Sequence, residues 1–450
     1  MARRQRPPWW RPARLPCRGP WECEAPPGPL AVRWTRPSTL LCVFITLLND
    51  RLGESIVFPL LPYLLAGITN DGRVLGLLAG SYALAQFGFT PLIGALSDRY
   101  GRRPVIMVCV TGSLLGLSMF ALTLALPWAS LWPAAAAAGW PLGLLFAARL
   151  IDGVSGGTAA TAAAVLADIS APEQRAKAFG LIGVAFGLGF ILGPALGGAL
   201  AGITITLPLL LAVAIAALNL VLVVLLLPET HPPEARSPLP RKRDLQPFAQ
   251  LARVLANPQV RRLSAAFFLF FLAFNGFTAV LVLYFKQAFG WGPTTSALAF
   301  LVVGVVATLV QGGLIGPLVQ RFGEWRLTLA GIGLVIVGFL LILLTTVGNA
   351  QPQVFIALAI LATGTGLVTP SLRSLVSRRL DEGGQGAALG SLQGLQSLTG
   401  FVGPPLAGLA YETVGQQSPF WFGTVLMVGV ALLVAGGLPG QATASPGATE

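Results

Sequence analysis

Apolar runs of membrane-spanning length alternate with short polar breaks from residue 38 to residue 438. Each run is long enough to cross a bilayer as a helix. They cover 38–66, 73–96, 105–126 and 141–167, a Gly-rich stretch ending near 198 and a run ending near 227. The rest are 263–286, 294–319, 327–347, 354–377, 387–411 and 419–438. The pattern predicts an all-α polytopic membrane protein of twelve transmembrane helices. It divides the chain into a basic N-terminal tail (1–37), a six-helix bundle (38–227), a Pro-rich basic linker (228–262), a second six-helix bundle (263–438) and a small polar tail (439–450). The first tail is rich in Arg, Pro and Trp without periodicity, which predicts disorder. It lacks the apolar core and cleavage site of a secretory signal.

Polar residues inside the runs mark candidate chemistry, because ionisable groups in hydrocarbon are costly. The first run carries Asp50 and Glu54, four apart and so on one helical face. The fourth carries Arg149 and Asp152, three apart and again on one face. An intramembrane Arg calls for a carboxylate partner, and Asp152 or Asp50 is the expected one. The second run holds Gln86. The last six runs hold no acid in their interiors but offer Asn275, Gln311, Arg373, Gln393 and Gln396, with a row of aromatics from Phe267 to Phe277.

Composition narrows the class. The chain is 54% hydrophobic and only 10% charged, whereas a soluble domain is about one quarter charged. The net charge of +12 falls on alternate breaks, the distribution that places basic loops on the cytoplasmic side. It therefore points to a lipid bilayer and not to nucleic acid. Both termini, loop 98–103, the linker and loop 378–386 are expected to be cytoplasmic. A single His and four Cys without ligand spacing exclude a histidine-held metal and a catalytic triad. No cofactor is expected, and no enzyme.

Two motifs recur in order. Residues 94–104 read GALSDRYGRRP, too charged for hydrocarbon, with Gly101 suited to a tight turn. Gly94, Arg99 and Gly101 match Gly316, Arg321 and Gly323 in the second half. In GVAFGLGFILGPALGG, Gly189, Gly193 and Gly197 lie four apart on one face that lets helices touch backbone to backbone. Gly193, Pro194 and Gly198 match Gly403, Pro404 and Gly408.

The stretch 94–104 resembles the loop signature of the major facilitator superfamily. Gly189, Gly193, Pro194, Gly197 and Gly198 resemble its antiporter signature, and Arg149 with Gly153 its fourth-span motif. ITLLNDRLGESIVFPLLP, Gln311 in VQGGLIGP and LDEGGQGAALGSLQGLQSLTGFVGPPL are similar to the tetracycline-efflux branch of drug:proton antiporters, over about 38–412. The resemblance implies two six-helix halves with a substrate site between them near the midplane. It assigns proton coupling to Asp50 and Arg149, to which the intramembrane acids Glu54 and Asp152, extra to that branch, are added as expected members of the coupling set. It assigns a conformational latch to Gly94, Asp98, Arg99, Gly101, Arg102, Arg103 and Asp168, with Asp98 meeting the start of the eleventh helix near Gly383–Gly386. Substrate contacts are expected at Gln86, Asn275, Gln311 and Gln393. Acids that tetracycline exporters carry in the third and ninth helices are replaced by Gly116 and Val335, so antiport carries over and tetracycline does not. The expected function is export of a small amphipathic or drug-like molecule in exchange for protons, by a monomer in a bacterial inner membrane. A metabolite facilitator or importer, and a receptor with the same fold, are the alternatives.

Overall fold

A computed structural model describes residues 37–170, 175–236, 258–345, 350–377 and 385–436. Among these, the long elements are helices. The first six are Pro37–Val57, extended by a tighter turn at Phe58–Leu60 and a last α turn at Leu61–Leu64, then Gly72–Tyr100, Arg102–Ala125, the pair Trp140–Ser155 and Thr158–Ile169, Arg175–Ala201 and Leu207–Leu226. The second six are Pro258–Phe289, the segmented Pro293–Leu309 through Ile315–Phe322, Glu324–Leu343, Ala350–Ser377, Gln385–Thr413 and Ser418–Ala435. We number them one to twelve. Ten are long and apolar enough to cross a membrane by length and composition. The first and eleventh fall outside that set. The first holds three charged residues, and the eleventh is rich in Gly, Gln and Pro.

Local chemistry sets the boundaries. The Asp71 carboxylate accepts from the Arg73 amide at 2.7 Å and caps the second helix. Gly101, at φ +103°, makes the abrupt turn into the third helix. The fourth run was expected as one helix and is broken at Gly156–Gly157, where Cβ atoms would collide with Gln86 and Ile93 of the second helix. The eighth helix widens into a π turn at Val310–Leu314.

Where a soluble protein would be polar, helices three, six and twelve expose apolar side chains seven residues apart: Val108, Leu115 and Leu122; Leu218 and Leu225; Val425 and Leu432. Such stripes suit a hydrocarbon solvent. The protein is thus a multi-pass membrane protein. The aromatic row of the seventh helix packs inward: Phe267, Phe270, Phe271 and Phe277 are buried, and Phe277 meets Phe339 and Phe420 edge-on.

Among the described residues, polar contacts join the two halves at one end and none joins them at the other. At the closed end, Tyr63 Oη donates to the Trp291 carbonyl at 2.6 Å. Lys286 Nζ donates to the Pro62 carbonyl at 3.1 Å and to Asn70 Oδ1 at 2.9 Å. The Gly72 amide donates to Glu412 Oε1 at 2.7 Å. At the end carrying residues 94–104, Cβ atoms built on Gly94, Gly312, Gly313 and Gly316 meet nothing within 4 Å. Gln320, Arg321 and Phe322 are exposed there.

Candidate functional site

Charge inside the first half gathers around one residue, Arg51. Its Nη2 donates to Asp50 Oδ2 and its Nη1 to Glu54 Oε2, each at 2.6 Å. The guanidinium lies 4.7 Å from the centroid of the Phe186 ring on the fifth helix. Asp50 is 9% exposed and Glu54 37%, so Glu54 is the open member of the pair. Arg149 was expected to neutralise Asp50 or Asp152. It faces Asp152, but at 3.9 Å the pair is too long for a hydrogen bond. It stacks on Phe120 at 5.1 Å, and its buried Nε has no partner. Asp50 pairs instead with its neighbour in the chain.

The two charge groups border a single cavity of about 30 Å³, lined by Asn49, Asp50, Glu54, Tyr82, Ser113, Asp152 and Asn219 among others. One water needs roughly 10–15 Å³. Asn219, on the sixth helix, is buried, and its Oδ1 and the Asn49 Nδ2 have no protein partner. The cavity therefore offers three carboxylates and two unpaired amide atoms to water or a transferable proton.

The glycine face of the fifth helix holds this arrangement together. A Cβ on Gly189 would stand 2.8 Å from the Cβ of Arg51, and one on Gly197 3.0 Å from the Ile56 carbonyl. One on Gly193 would strike Ser55, whose hydroxyl donates to the Gly189 carbonyl at 2.8 Å. Gly198 faces the other way, onto Ala297 of the eighth helix. Pro194 lies inside the same unbroken helix. In the second half the matching Gly403 meets Gly276 of the seventh helix, and Gly408 meets Gly72 of the second.

At the open end, Arg102 joins three partners. Its guanidinium donates to Asp98, to Ser97 Oγ at 2.7 Å and to Asp168 Oδ2 at 3.0 Å. Asp98 remains 50% exposed. Arg103 donates to the Val224 carbonyl, and Arg99 lies over Tyr100. Beyond these expected residues, Glu229 takes part: it accepts from the amides of Arg102 at 2.9 Å and Arg103 at 3.3 Å, and caps the third helix. A Cβ on Gly101 would run into that carboxylate. The expected contact of Asp98 with Gly383–Gly386 lies outside the described residues, save that Gln385 begins the eleventh helix.

The expected substrate contacts divide. Gln86 donates to the Gly156 carbonyl at 3.1 Å and Asn275 to Thr399 Oγ1 at 3.0 Å, so both are engaged within their own half. Gln311, in the π turn, and Gln393 are exposed.

A family model described as Major Facilitator Superfamily matches residues 41–404. The class C tetracycline resistance protein of Escherichia coli is 33% identical over 398 residues, covering 88% of this chain and 94% of that protein. The crystal structure of the human organic anion transporter MFSD10 aligns with a TM-score of 0.66 at 27% identity, over 89% of this chain and 100% of the other. The nucleoside transporter NupG aligns with a TM-score of 0.71 at 14% identity, over 89% and 100%, a likeness of fold alone.

Proposed function

Because the chain belongs to the Major Facilitator Superfamily, a family of transporters and not of enzymes, we propose that it exports a small amphipathic or drug-like molecule in exchange for protons. The observation that carries this reading is the set of carboxylates Asp50, Glu54 and Asp152 lining one cavity in the first half, with Arg51 and Arg149 beside them. A facilitator needs no such set, and a receptor gains nothing from it. Titratable carboxylates beside buried arginines are the elements of a site whose proton occupancy changes as the arginines move. Glu54, the exposed acid, is the entry point for the proton, and Asp50 and Asp152 are the inner acceptors.

Tetracycline itself is not the proposed cargo. A Cβ on Gly116 would lie 2.9 Å from the Ala148 carbonyl and from the Asp152 Cβ, so no acid side chain fits there. Val335 is buried against Gly364 of the tenth helix. The relatives' names point to tetracyclines and to organic anions, and nothing at these two positions favours the first.

Charge distribution supports placing residues 94–104, the linker and the termini in the cytoplasm. The protein then faces inward, as a monomer in a bacterial inner membrane. Asp98, oriented by Arg102 and Asp168, meets the start of the eleventh helix when that side closes. Cross-linking between positions 98 and 385 tests the latch; equal yield in inward-open and outward-open states refutes it.

The function is tested by drug and metabolite susceptibility of an efflux-deficient strain expressing the chain, followed by transport in inside-out vesicles under an imposed pH gradient. Asp50→Asn is expected to abolish pH-driven export while substrate still binds. Wild-type pH dependence in that variant would end the coupling assignment.

A further inference from the structure

The second half contains an arginine with no counter-charge among the described residues. Arg373 sits in the tenth helix, inside its apolar span Gln351–Val376. Its Nη2 donates to Gln396 Oε1 at 2.7 Å, and its guanidinium carbon lies 6.0 Å from the Phe267 ring centroid. Neither partner is charged. Arg51, Arg102 and Arg149, in the first half, each face a carboxylate. Among the described residues Arg373 faces none.

The second half cannot easily supply one. Between residues 263 and 438 the acids are Glu324, Asp381, Glu382 and Glu412. Glu324 opens the ninth helix, and Glu412 closes the eleventh with its carboxylate on the Gly72 amide. Asp381 and Glu382 lie outside the described residues. None stands in the body of a span, and an ionisable residue inside a span is costly enough to be functional by default.

The arginine is not directed out to the membrane surface. Helical side chains lean toward the N-terminus of their own helix. In the tenth helix that is away from its nearby end at Ser377. The partner Gln396 lies eleven residues into the eleventh helix, counted from Gln385, about 16 Å along its axis. A snorkelling arginine would reach the other way. Gln396 also stands on the face that, one turn later at Gly400, meets Ala83 of the first half. None of the Arg373 nitrogens is both enclosed and unpaired, so its remaining donors stay reachable.

From this geometry we propose that Arg373 anchors an anionic group of the transported molecule, and that the cargo is an amphipathic organic anion bearing a carboxylate or sulfonate. A planar guanidinium presents paired N–H groups that match such a group bidentately. Gln396 orients the fork from one side, and Phe267 lies beside it. Glu54, the exposed acid of the first half, already pairs with Arg51, which leaves Arg373 for the cargo. The inference rests on the reading of the chain as a carrier that binds its cargo between the halves.

The test uses the full chain in lipid nanodiscs, with 5-carboxyfluorescein as the anionic probe and rhodamine 6G as a cationic probe of similar ring system. Wild type should bind the anion in preference to the cation. Arg373→Gln should weaken anion binding tenfold or more and leave the cation unchanged, and Arg373→Lys should recover part of the loss. The wild-type preference is read independently of any variant's folding. Equal anion affinity in Arg373→Gln, a wild-type preference for the cation, or no binding of either probe overturns the inference. A pH gradient across proteoliposomes separates the two proposals: an anion that binds through Arg373 but does not move leaves the anchor standing and removes the antiport reading.

Discussion

Gly189 lies so close to Arg51 that a Cβ on the glycine would stand 2.8 Å from the Cβ of the arginine. The glycine stripe of the fifth helix and the charges of the first are therefore one structure. The stripe sets how near the helix bearing Asp50, Arg51 and Glu54 can come. Gly189→Val should displace Arg51 from both carboxylates, with a misfit of about 1–3 kcal/mol. Proton-driven export should fall about tenfold, measured in vesicles. Gly187→Ala, whose Cβ would lie 3.4 Å from Thr308 Oγ1, is the matched control and should be tolerated. Equal loss in both variants would detach the stripe from the charges.

Asn219 offers an unpaired buried oxygen to the cavity beside Asp152. Replacing an unsatisfied polar group with an apolar one of similar size is close to neutral for stability, or better. Asn219→Leu should keep or raise the thermal midpoint while slowing proton-driven export. Loss of stability in step with loss of export would reduce Asn219 to a packing residue.

Arg102 binds Asp98, Ser97 and Asp168 together at the open end. Its removal leaves Asp168 without its cation. Because Asp98 is half exposed, the cost should lie below that of a fully buried pair, at about 1–3 kcal/mol. Arg102→Ala should lower the thermal midpoint by several degrees. Arg102→Lys should recover little of it, because an ammonium cannot span three partners as the fork does.

Glu229 and Gly101 make a matched pair of changes. Glu229→Ala removes the acceptor for two amides at the start of the third helix, at about 0.5–2 kcal/mol. Gly101→Ala meets the same carboxylate and also strains a backbone at φ +103°. The double variant should lose less than the two singles added, because the clash disappears with the carboxylate. Thermal denaturation of all four proteins measures this, and strict additivity would show that the two residues act independently.

The helices were legible because hydrocarbon enforces long apolar runs, and Asp50, Glu54, Arg149 and Asp152 because charge there stands out. Their pairing was not. The sequence expectation offered Asp152 or Asp50 as the partner of Arg149, and the structure pairs Asp50 with the adjacent Arg51 instead. The break at Gly156–Gly157 was written in two adjacent glycines, yet only the approach of Gln86 and Ile93 explains it. Glu229 was hidden because it lies 127 residues from Arg102, in a segment whose composition reads as linker. That Arg373 faces no carboxylate among the described residues depends on every neighbour at once, which no local pattern contains.

Asp50, Glu54 and Asp152 in the bodies of the spans are opposed by Arg51, Arg149 and Arg373, three acids against three arginines. With all six ionised, the empty carrier is electrically balanced, and membrane voltage does little to its reorientation. On the proposed roles, a bound proton leaves it with one positive charge, and a bound anion with one negative charge. A voltage negative on the cytoplasmic side then pulls the proton-loaded form inward and pushes the anion-loaded form outward, so it drives both strokes. A charge crossing the whole field gains about 2.3 kcal/mol per 100 mV. One cycle moving a proton in and a monoanion out therefore draws up to about twice that from the voltage, in addition to the pH gradient.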